Sequence, residues 1–296
     1  MADHIDLLAV LGHPVGHSLS PAMHGAAITA FKLAAVYTAV DLPPEQLAQG
    51  LQAVRVLGYL GANLTIPHKE RALQWLDDCS ESAVRIGAVN TIIRSGDRLF
   101  GDNTDGRGWA RSIREELGIT LSGARACIVG AGGAARAIAD ALLASGAEQV
   151  VLCNRDVDRA ERLALTLRRQ YPKSDVRSCA PTGLRTDGID LLVNSTPVGM
   201  YGHSEGALPI AAGLLHGSMV VSDLVYRPRR TALLSAAQCA GAVIHEGIGM
   251  LVWQGALAFE EWFGAPAPVA VMREAALRRL EPSGASAAHD PSNTTF

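Results

Sequence analysis

The stretch Cys127-Ile128-Val129-Gly130-Ala131-Gly132-Gly133-Ala134-Ala135-Arg136 decides the fold. Its apolar opening reads as a buried strand, its glycines as a tight turn, and its alanines as the start of a helix. Gly130, Gly132 and Ala135 keep the G-x-G-x-x-G/A spacing. The first glycine lets the chain turn, the second admits a pyrophosphate close to the backbone, and the small third residue lets helix and strand pack closely. With Ala131, Gly133 and Ala134 they form a loop whose following helix offers free N–H groups to phosphates. Gly-rich turns also serve plain packing, so context carries the weight. Here a helix runs on to about Ser145 and a second strand follows at Gln149–Cys153.

Outward from that unit the alternation continues. A helix reaches about Arg169, and strands fall near Leu191–Asn194, Met219–Asp223 and Ala242–His245. Residues 108–247 therefore read as a Rossmann-type, doubly wound parallel sheet that binds a dinucleotide. Upstream, strands are predicted at 5–11, Ala34–Val40, Gly61–Ile66, Thr91–Arg94 and Leu99–Gly101, with helices from Pro21 to about Phe31, from Pro43-Pro44 to about Val56, and up to Ile86. Such alternation implies parallel pairing, so the fold class is α/β with two open α/β domains. A long helix, Met250–Trp262, follows Gly247 and Gly249, two glycines suited to an interdomain hinge, and is expected to pack back on the first domain. The substrate-binding catalytic domain then comprises 1–107 plus 248–282. A last helix near Pro268–Leu280 precedes a Ser/Ala/Asn/Pro-rich stretch, 283–296, expected to be a flexible tail.

Composition bounds the partners. A chain of 296 residues, 48% hydrophobic and 19% charged with 30 glycines, describes a compact α/β protein of two domains. Its net charge of −3 with scattered Arg and Lys leaves no basic face for nucleic acid. No signal peptide or apolar run of spanning length is evident, so no membrane partner is expected. Five widely separated cysteines fit buried cytoplasmic thiols better than a disulfide frame, and no metal motif appears. The expectation is a cytoplasmic protein with a small-molecule substrate, monomer or homodimer being open.

Gly61-Ala62-Asn63-Leu64-Thr65-Ile66-Pro67-His68-Lys69 places the polar chemistry. Asn63 and Thr65, two apart, share a face of a strand. Pro67 ends that strand, and Lys69 stands just past its C-terminal end, where open α/β sheets hold ligands. A lone lysine is usually a solvated one, but this one belongs to a set. The set includes Ser18-Leu19-Ser20-Pro21, Gly87-Ala88-Val89-Asn90-Thr91, Gly101-Asp102-Asn103-Thr104-Asp105-Gly106, the turn at Gly130, and Gly247-Ile248-Gly249-Met250-Leu251 with Gln254. In this order, from about residue 8 to 264, the chain resembles the shikimate dehydrogenase family.

The resemblance implies an NADP-dependent oxidoreductase of the route to aromatic amino acids, reducing 3-dehydroshikimate to shikimate reversibly with NADPH. Lys69 and Asp105 are then the catalytic pair. A reduced ketone needs a proton on oxygen, which Lys69 supplies while Asp105 orients it. Ser18 and Ser20 take the substrate carboxylate, though one of them would also serve as a helix cap. Asn63, Thr65, Asn90, Asp105 and Tyr226 complete the substrate pocket. Gln254, on the apolar face of its helix, needs a partner that a substrate hydroxyl would supply. Thr196, Pro197, Val198, Leu224, Gly247 and Met250 line the nicotinamide side.

The residues themselves speak to the cofactor. At the end of the second strand, where an acid would hold the ribose of NAD, this chain has Asn154-Arg155 with Arg159 a turn later, which suits the 2′-phosphate of NADP. Asp156 departs from the family's usual threonine. It either caps the helix from Val157 or faces the ribose and admits NAD. Gly25 also departs, standing where an asparagine is usual. Two alternatives follow: a quinate/shikimate dehydrogenase using NAD or NADP, and a non-catalytic dinucleotide-binding regulator. The presence of both Lys69 and Asp105 argues against the second.

Overall fold

The computed structural model describes residues 5–280; the expected tail at 283–296 lies outside them. The chain opens with β1 (Asp6–Gly12), α1 (Ser20–Ala30) and β2 (Ala35–Asp41), then α2 (Leu47–Val56) and β3 (Gly61–Leu64). A short β4 (Asp78–Cys79), α3 (Glu81–Ile86) and the hairpin β5 (Thr91–Ser95) and β6 (Arg98–Asp102) close the first layer. Helix α4 (Asp105–Leu117) leads to β7 (Arg125–Val129), α5 (Gly133–Ala144), β8 (Gln149–Cys153), α6 (Val157–Gln170) and β9 (Asp175–Cys179). Then come β10 (Leu191–Asn194), β11 (Val220–Asp223), α7 (Ala232–Cys239) and β12 (Val243–His245), and finally α8 (Gly247–Phe263) and α9 (Val269–Leu280).

The second sheet runs β12-β11-β10-β7-β8-β9, every neighbouring pair parallel. Its order reverses between β7 and β10, the switch point beside which open sheets bind ligands. Edge strand β9 was not foreseen from sequence, because among Asp175–Cys179 only Val176 is fully buried and the run carries no apolar periodicity.

The first sheet, β2-β1-β3-β5-β6-β4, is mixed rather than wholly parallel. Strands β1, β2 and β3 are parallel, but β5 runs antiparallel to both β3 and β6. A two-residue Gly96-Asp97 connection between β5 and β6 leaves no length for a crossover helix, which a parallel pair needs. The antiparallel register sets Asn63 opposite Thr91 and Thr91 opposite Asp102, which gathers polar residues at one end of the sheet.

Helix α8 starts at Gly247, three residues earlier than expected, so Gly247 and Gly249 lie inside it rather than in a hinge. Their small size serves close approach. A Cβ on Gly247 would lie 2.6 Å from the Leu224 carbonyl oxygen, and one on Gly249 2.1 Å from Ser112 Oγ. Helix α4 answers with Gly106 against α5 and Gly108 against α8; a Cβ on Gly108 would fall 2.5 Å from the Gln254 nitrogen. Both helices thus pack backbone to backbone and tie the two sheets together. Gly25 on α1 differs: nothing lies within 4 Å of a Cβ there. Of the five free thiols, Cys127 and Cys153 are buried as expected, whereas Cys239 is exposed at the end of a surface helix. Among the described residues no helix is long and apolar enough to cross a membrane.

Candidate active site

The chain turns just after β3 and brings Lys69 back over Asp105, the first residue of α4. Lys69 Nζ donates to Asp105 Oδ2 at 2.5 Å, with the carboxylate almost wholly buried and the lysine side chain 20% exposed. The other oxygen, Oδ1, accepts from Asn90 Nδ2 at 2.8 Å. The Asp105 N–H is taken by Asn103 Oδ1 at 3.0 Å, and Asn103 Nδ2 holds the Ala88 carbonyl at 2.9 Å. Asn90 Oδ1 accepts from the Thr104 N–H and from Thr91 Oγ1. Both carboxylate oxygens therefore have fixed donors, and the direction of the lysine follows from them.

Gln254 reaches this group from α8. Its Oε1 accepts from Asn90 Nδ2 at 3.3 Å while its Nε2 donates to the Leu251 carbonyl. The structure thus joins Lys69, Asp105, Asn90 and Gln254 in one network. Asn63 is employed differently. Its Oδ1 accepts from the Tyr37 hydroxyl at 2.6 Å, and its Nδ2 donates to the Asn90 carbonyl at 3.1 Å. Ser20 lies near the same hydroxyl and opposes the effect of burial on it. Burial pushes the Tyr37 phenol up, leaving it a neutral donor. Sequence reading missed Tyr37. Its signal was faint, one aromatic in a strand whose other residues alternate as ordinary edge positions.

Neither serine is the helix cap. Leu19 occupies that position without a side-chain bond, Ser18 Oγ accepts from the Ser20 N–H, and Pro21 fills the first turn. Thr65 is half-buried, and a Cβ on Gly12 would meet its methyl at 2.2 Å. Tyr226 is half-buried among Leu19, Met23 and Ile248, at the joint between the β11 end and α1.

The glycine turn faces the lysine. A Cβ added to Gly133 would lie 3.7 Å from Lys69 Cβ, so the N-terminus of α5 and the proton-bearing side chain share one cleft. Gly130 has φ +117° and a Cβ there would fall 2.3 Å from Ser195 Oγ, a conformation and a space that only glycine tolerates. Gly132 caps α5 with no side-chain bond, leaving the first N–H groups of the helix to a ligand. This bare cradle fits a pyrophosphate. Thr196 and Val198 are arranged by Asn194, whose Oδ1 accepts from the Thr196 N–H and hydroxyl, and whose Nδ2 donates to the Val198 carbonyl and to Asp223. Asp223 also takes the Thr231 hydroxyl and the Val225 N–H, and burial lifts its carboxyl to about 6. Pro197 is exposed, Leu224 half-buried, and Met250 packs into the core beside Trp109 and Ile113.

At the adenosine end, Asp156 caps α6: its Oδ1 accepts from the Arg159 N–H at 2.9 Å, as one reading of the sequence expected. Asn154 Nδ2 donates to the Asp156 carbonyl. Arg155 is exposed and makes no hydrogen bond among the described residues. Arg159 Nε donates to the Ala131 carbonyl at 3.0 Å, which sets its guanidinium beside the glycine turn.

Comparison with known proteins agrees with this arrangement. Residues 10–92 match the shikimate dehydrogenase substrate binding domain, 111–196 the shikimate/quinate 5-dehydrogenase family, and 247–277 the shikimate 5′-dehydrogenase C-terminal domain. The chain is 48% identical to the shikimate dehydrogenase (NADP(+)) of Methanopyrus kandleri, over 93% of this chain and 96% of that one. It is 47% identical to the enzyme of the same name from Symbiobacterium thermophilum, over 93% and 95%. The shikimate 5-dehydrogenase of Thermus thermophilus, solved with NADP(H) and shikimate, superposes with a TM-score of 0.84 at 43% identity, covering 93% of this chain and all of that one. This chain belongs to the shikimate dehydrogenase family.

Proposed function

We propose that the protein interconverts 3-dehydroshikimate and shikimate with NADP(H), and that Lys69 and Asp105 perform the proton transfer. The observation that carries this reading is the 2.5 Å Lys69–Asp105 pair beside the glycine turn of the dinucleotide cradle, where a Cβ built on Gly133 would come 3.7 Å from Lys69 Cβ. The nicotinamide, when bound, supplies the hydride to the ring carbon; the rest is work of the side chains. Lys69 Nζ gives its proton to the ketone oxygen as negative charge gathers there, and takes one back in the oxidative direction. Asp105, held by Asn90 and the Asn103 turn, keeps that ammonium aimed and binds a ring hydroxyl. Gln254, with one amide hydrogen unused, takes a further hydroxyl, and Asn90 takes another by exchanging one of the contacts its amide makes within the site. Ser18, Ser20 and Thr65 line the carboxylate end together with Tyr226. Asn63 serves through Tyr37, fixing the strand end rather than touching the ring.

NADP is assigned to Gly130, Ala131, Gly132, Gly133 and Ala134 for the pyrophosphate, and to Asn154, Arg155 and Arg159 at the ribose. Thr196, Pro197, Val198, Leu224, Gly247 and Met250 line the nicotinamide side. Asp156, its carboxylate turned onto α6, leaves the two guanidinium groups to the 2′-phosphate. Residues 1–107 with 248–282 form the substrate-binding unit in this reading, and 108–247 the cofactor unit. It extends to a cytoplasmic enzyme acting as a monomer or homodimer, checked by cell fractionation and by light scattering against the 31.1 kDa of one chain.

The test is a steady-state assay of shikimate and quinate, each with NAD and NADP. Quinate carries an extra hydroxyl on the carbon that bears the carboxylate, and a pocket with no partner for it loses roughly 1–3 kcal/mol. Shikimate with NADP is expected to lead in kcat/KM by about tenfold or more. Equal efficiency on both acids would move the protein to the quinate/shikimate branch.

A further inference from the structure

Glu70, the neighbour of the proton-transfer lysine, reaches across the mouth of the cleft to the cofactor unit. Its Oε1 lies 3.2 Å from Arg159 Nη2, and its Oε2 lies 3.9 Å from Arg136 Nε in the first turn of α5. The Arg159 guanidinium is pinned through Nε by the Ala131 carbonyl, and its Nη2 is the atom nearest a Cβ built on Gly132, at 3.8 Å. One carboxylate from the substrate side thus holds two cations of the cofactor side, directly above the glycine turn. Both partners are partly exposed, 47% for Arg159 and 39% for Glu70, so water and ligands reach the pair.

We propose that Glu70 is a determinant of cofactor specificity, the counter-charge that the 2′-phosphate must displace from Arg159. This inference rests on the assignment of NADP to Arg155 and Arg159. A carboxylate and a phosphate compete for the same planar donors of a guanidinium, and both cannot hold the same edge of it. A dinucleotide without the phosphate has no quarrel with Glu70 at this point. The contact with Arg136 bears on the pyrophosphate, which both cofactors carry, so it moves both affinities together. Glu70 therefore narrows the margin by which NADP is preferred over NAD. It also makes NADP binding compete with a contact that joins the two sides of the cleft.

The experiment is titration calorimetry of NADP+ and NAD+ against the full chain, for the parent, Glu70→Gln, Arg159→Gln and the double variant. A partly exposed ion pair has a modest effect, so Glu70→Gln is expected to tighten NADP+ by about two- to fivefold. The Kd ratio of NAD+ to NADP+ should rise by a similar factor. The gain should shrink in strong salt, and it should vanish in the Arg159→Gln background. A Glu70→Gln variant that shifts both cofactors equally, or that weakens NADP+, overturns the proposal. Arg159→Gln alone reads the underlying assignment: it should weaken NADP+ by tenfold or more and spare NAD+. Unchanged NADP+ binding there would overturn the phosphate site itself, independently of Glu70.

Discussion

Lys69 and Asp105 stand 36 positions apart in the chain and 2.5 Å apart in space. The lysine was legible beforehand because a proline-ended strand left it at a ligand-facing strand end. The carboxylate was less so, since it stood in a run of four polar residues, Asp102, Asn103, Thr104 and Asp105, of which Asp102 or Thr104 could cap the helix. Only the fold separates them: Asp102 turns to Arg107 and Ser80, Asn103 closes the turn, and Asp105 meets the lysine. Lys69→Ala should lower kcat by at least about a hundredfold with a smaller change in shikimate binding; a variant keeping more than about half of kcat would end the assignment. Asp105→Asn should lose most activity too, and the double variant should fall far short of the summed losses, because the two side chains act as a unit. Asp156 belongs to the same scale. Its carboxylate accepts the Arg159 N–H, so Asp156→Ala should lower stability by about 1 kcal/mol in denaturant titrations and shift cofactor preference little. Lost NAD use with a large gain in NADP binding would instead put that carboxylate on the ribose.

Helices α4 and α8 decide how the two halves meet, and the α8 glycines are not the points of freedom that the sequence suggested. Within a helix a glycine costs stability and is kept for what its missing side chain allows. Here that is contact with a neighbouring backbone at Gly106, Gly108 and Gly247, and with the Ser112 and Glu116 side chains at Gly249. Gly108→Ala would drive a Cβ to within 2.5 Å of the Gln254 nitrogen and 2.7 Å of its Cα. Helix α8 would have to move, and Gln254 with it, away from Asn90. The expected result is a loss of roughly 1–3 kcal/mol in stability together with a raised KM for shikimate. Gly25→Ala is the control. With nothing within 4 Å of the new methyl, it should be neutral or stabilising by up to about 1 kcal/mol. If Gly108→Ala matched it in stability and KM, close helix contact would not be what holds Gln254 in place.

Across the whole molecule, buried ionisable groups sit where the elements converge. Glu261 of α8 lies against Asp102 and Arg107, and burial, aided by the Asp102 carboxylate, raises its carboxyl from 4.5 to about 7. Asp102 shows the complement: burial opposes its charge, but hydrogen bonds from Glu261 and Ser80 and the charge of Arg107 outweigh that and hold it below the usual range. Between pH 4.5 and about 7 the unfolded chain ionises Glu261 more readily than the native one, so native stability from this group falls as pH rises through that window. Glu261→Gln removes the titration. Its melting temperature relative to the parent should climb from about pH 5 to about pH 8 in thermal scans. A difference flat in pH would mean that Glu261 titrates alike in both states.

What the amino-acid order determined alone was everything governed by local periodicity and short motifs. The glycine turn, the strand–helix alternation of the second sheet and the place of Lys69 past a proline-ended strand depend on neighbours within a few residues, whereas the choice of Asp156 between cap and ribose and of Asp105 as the partner of Lys69 did not. The antiparallel turn of the first sheet, the edge strand β9 and the bridging roles of Tyr37 and Glu70 were decided only in three dimensions. Each of these rests on pairing between segments far apart in the chain: Asn63 with Thr91, Cys153 with Cys179, Tyr37 with Asn63, Glu70 with Arg159. Such pairings are set by sheet order and helix contact, which a single window of sequence does not encode. A glycine reads the same whether it frees a hinge or admits a neighbouring backbone, and only the neighbour tells which.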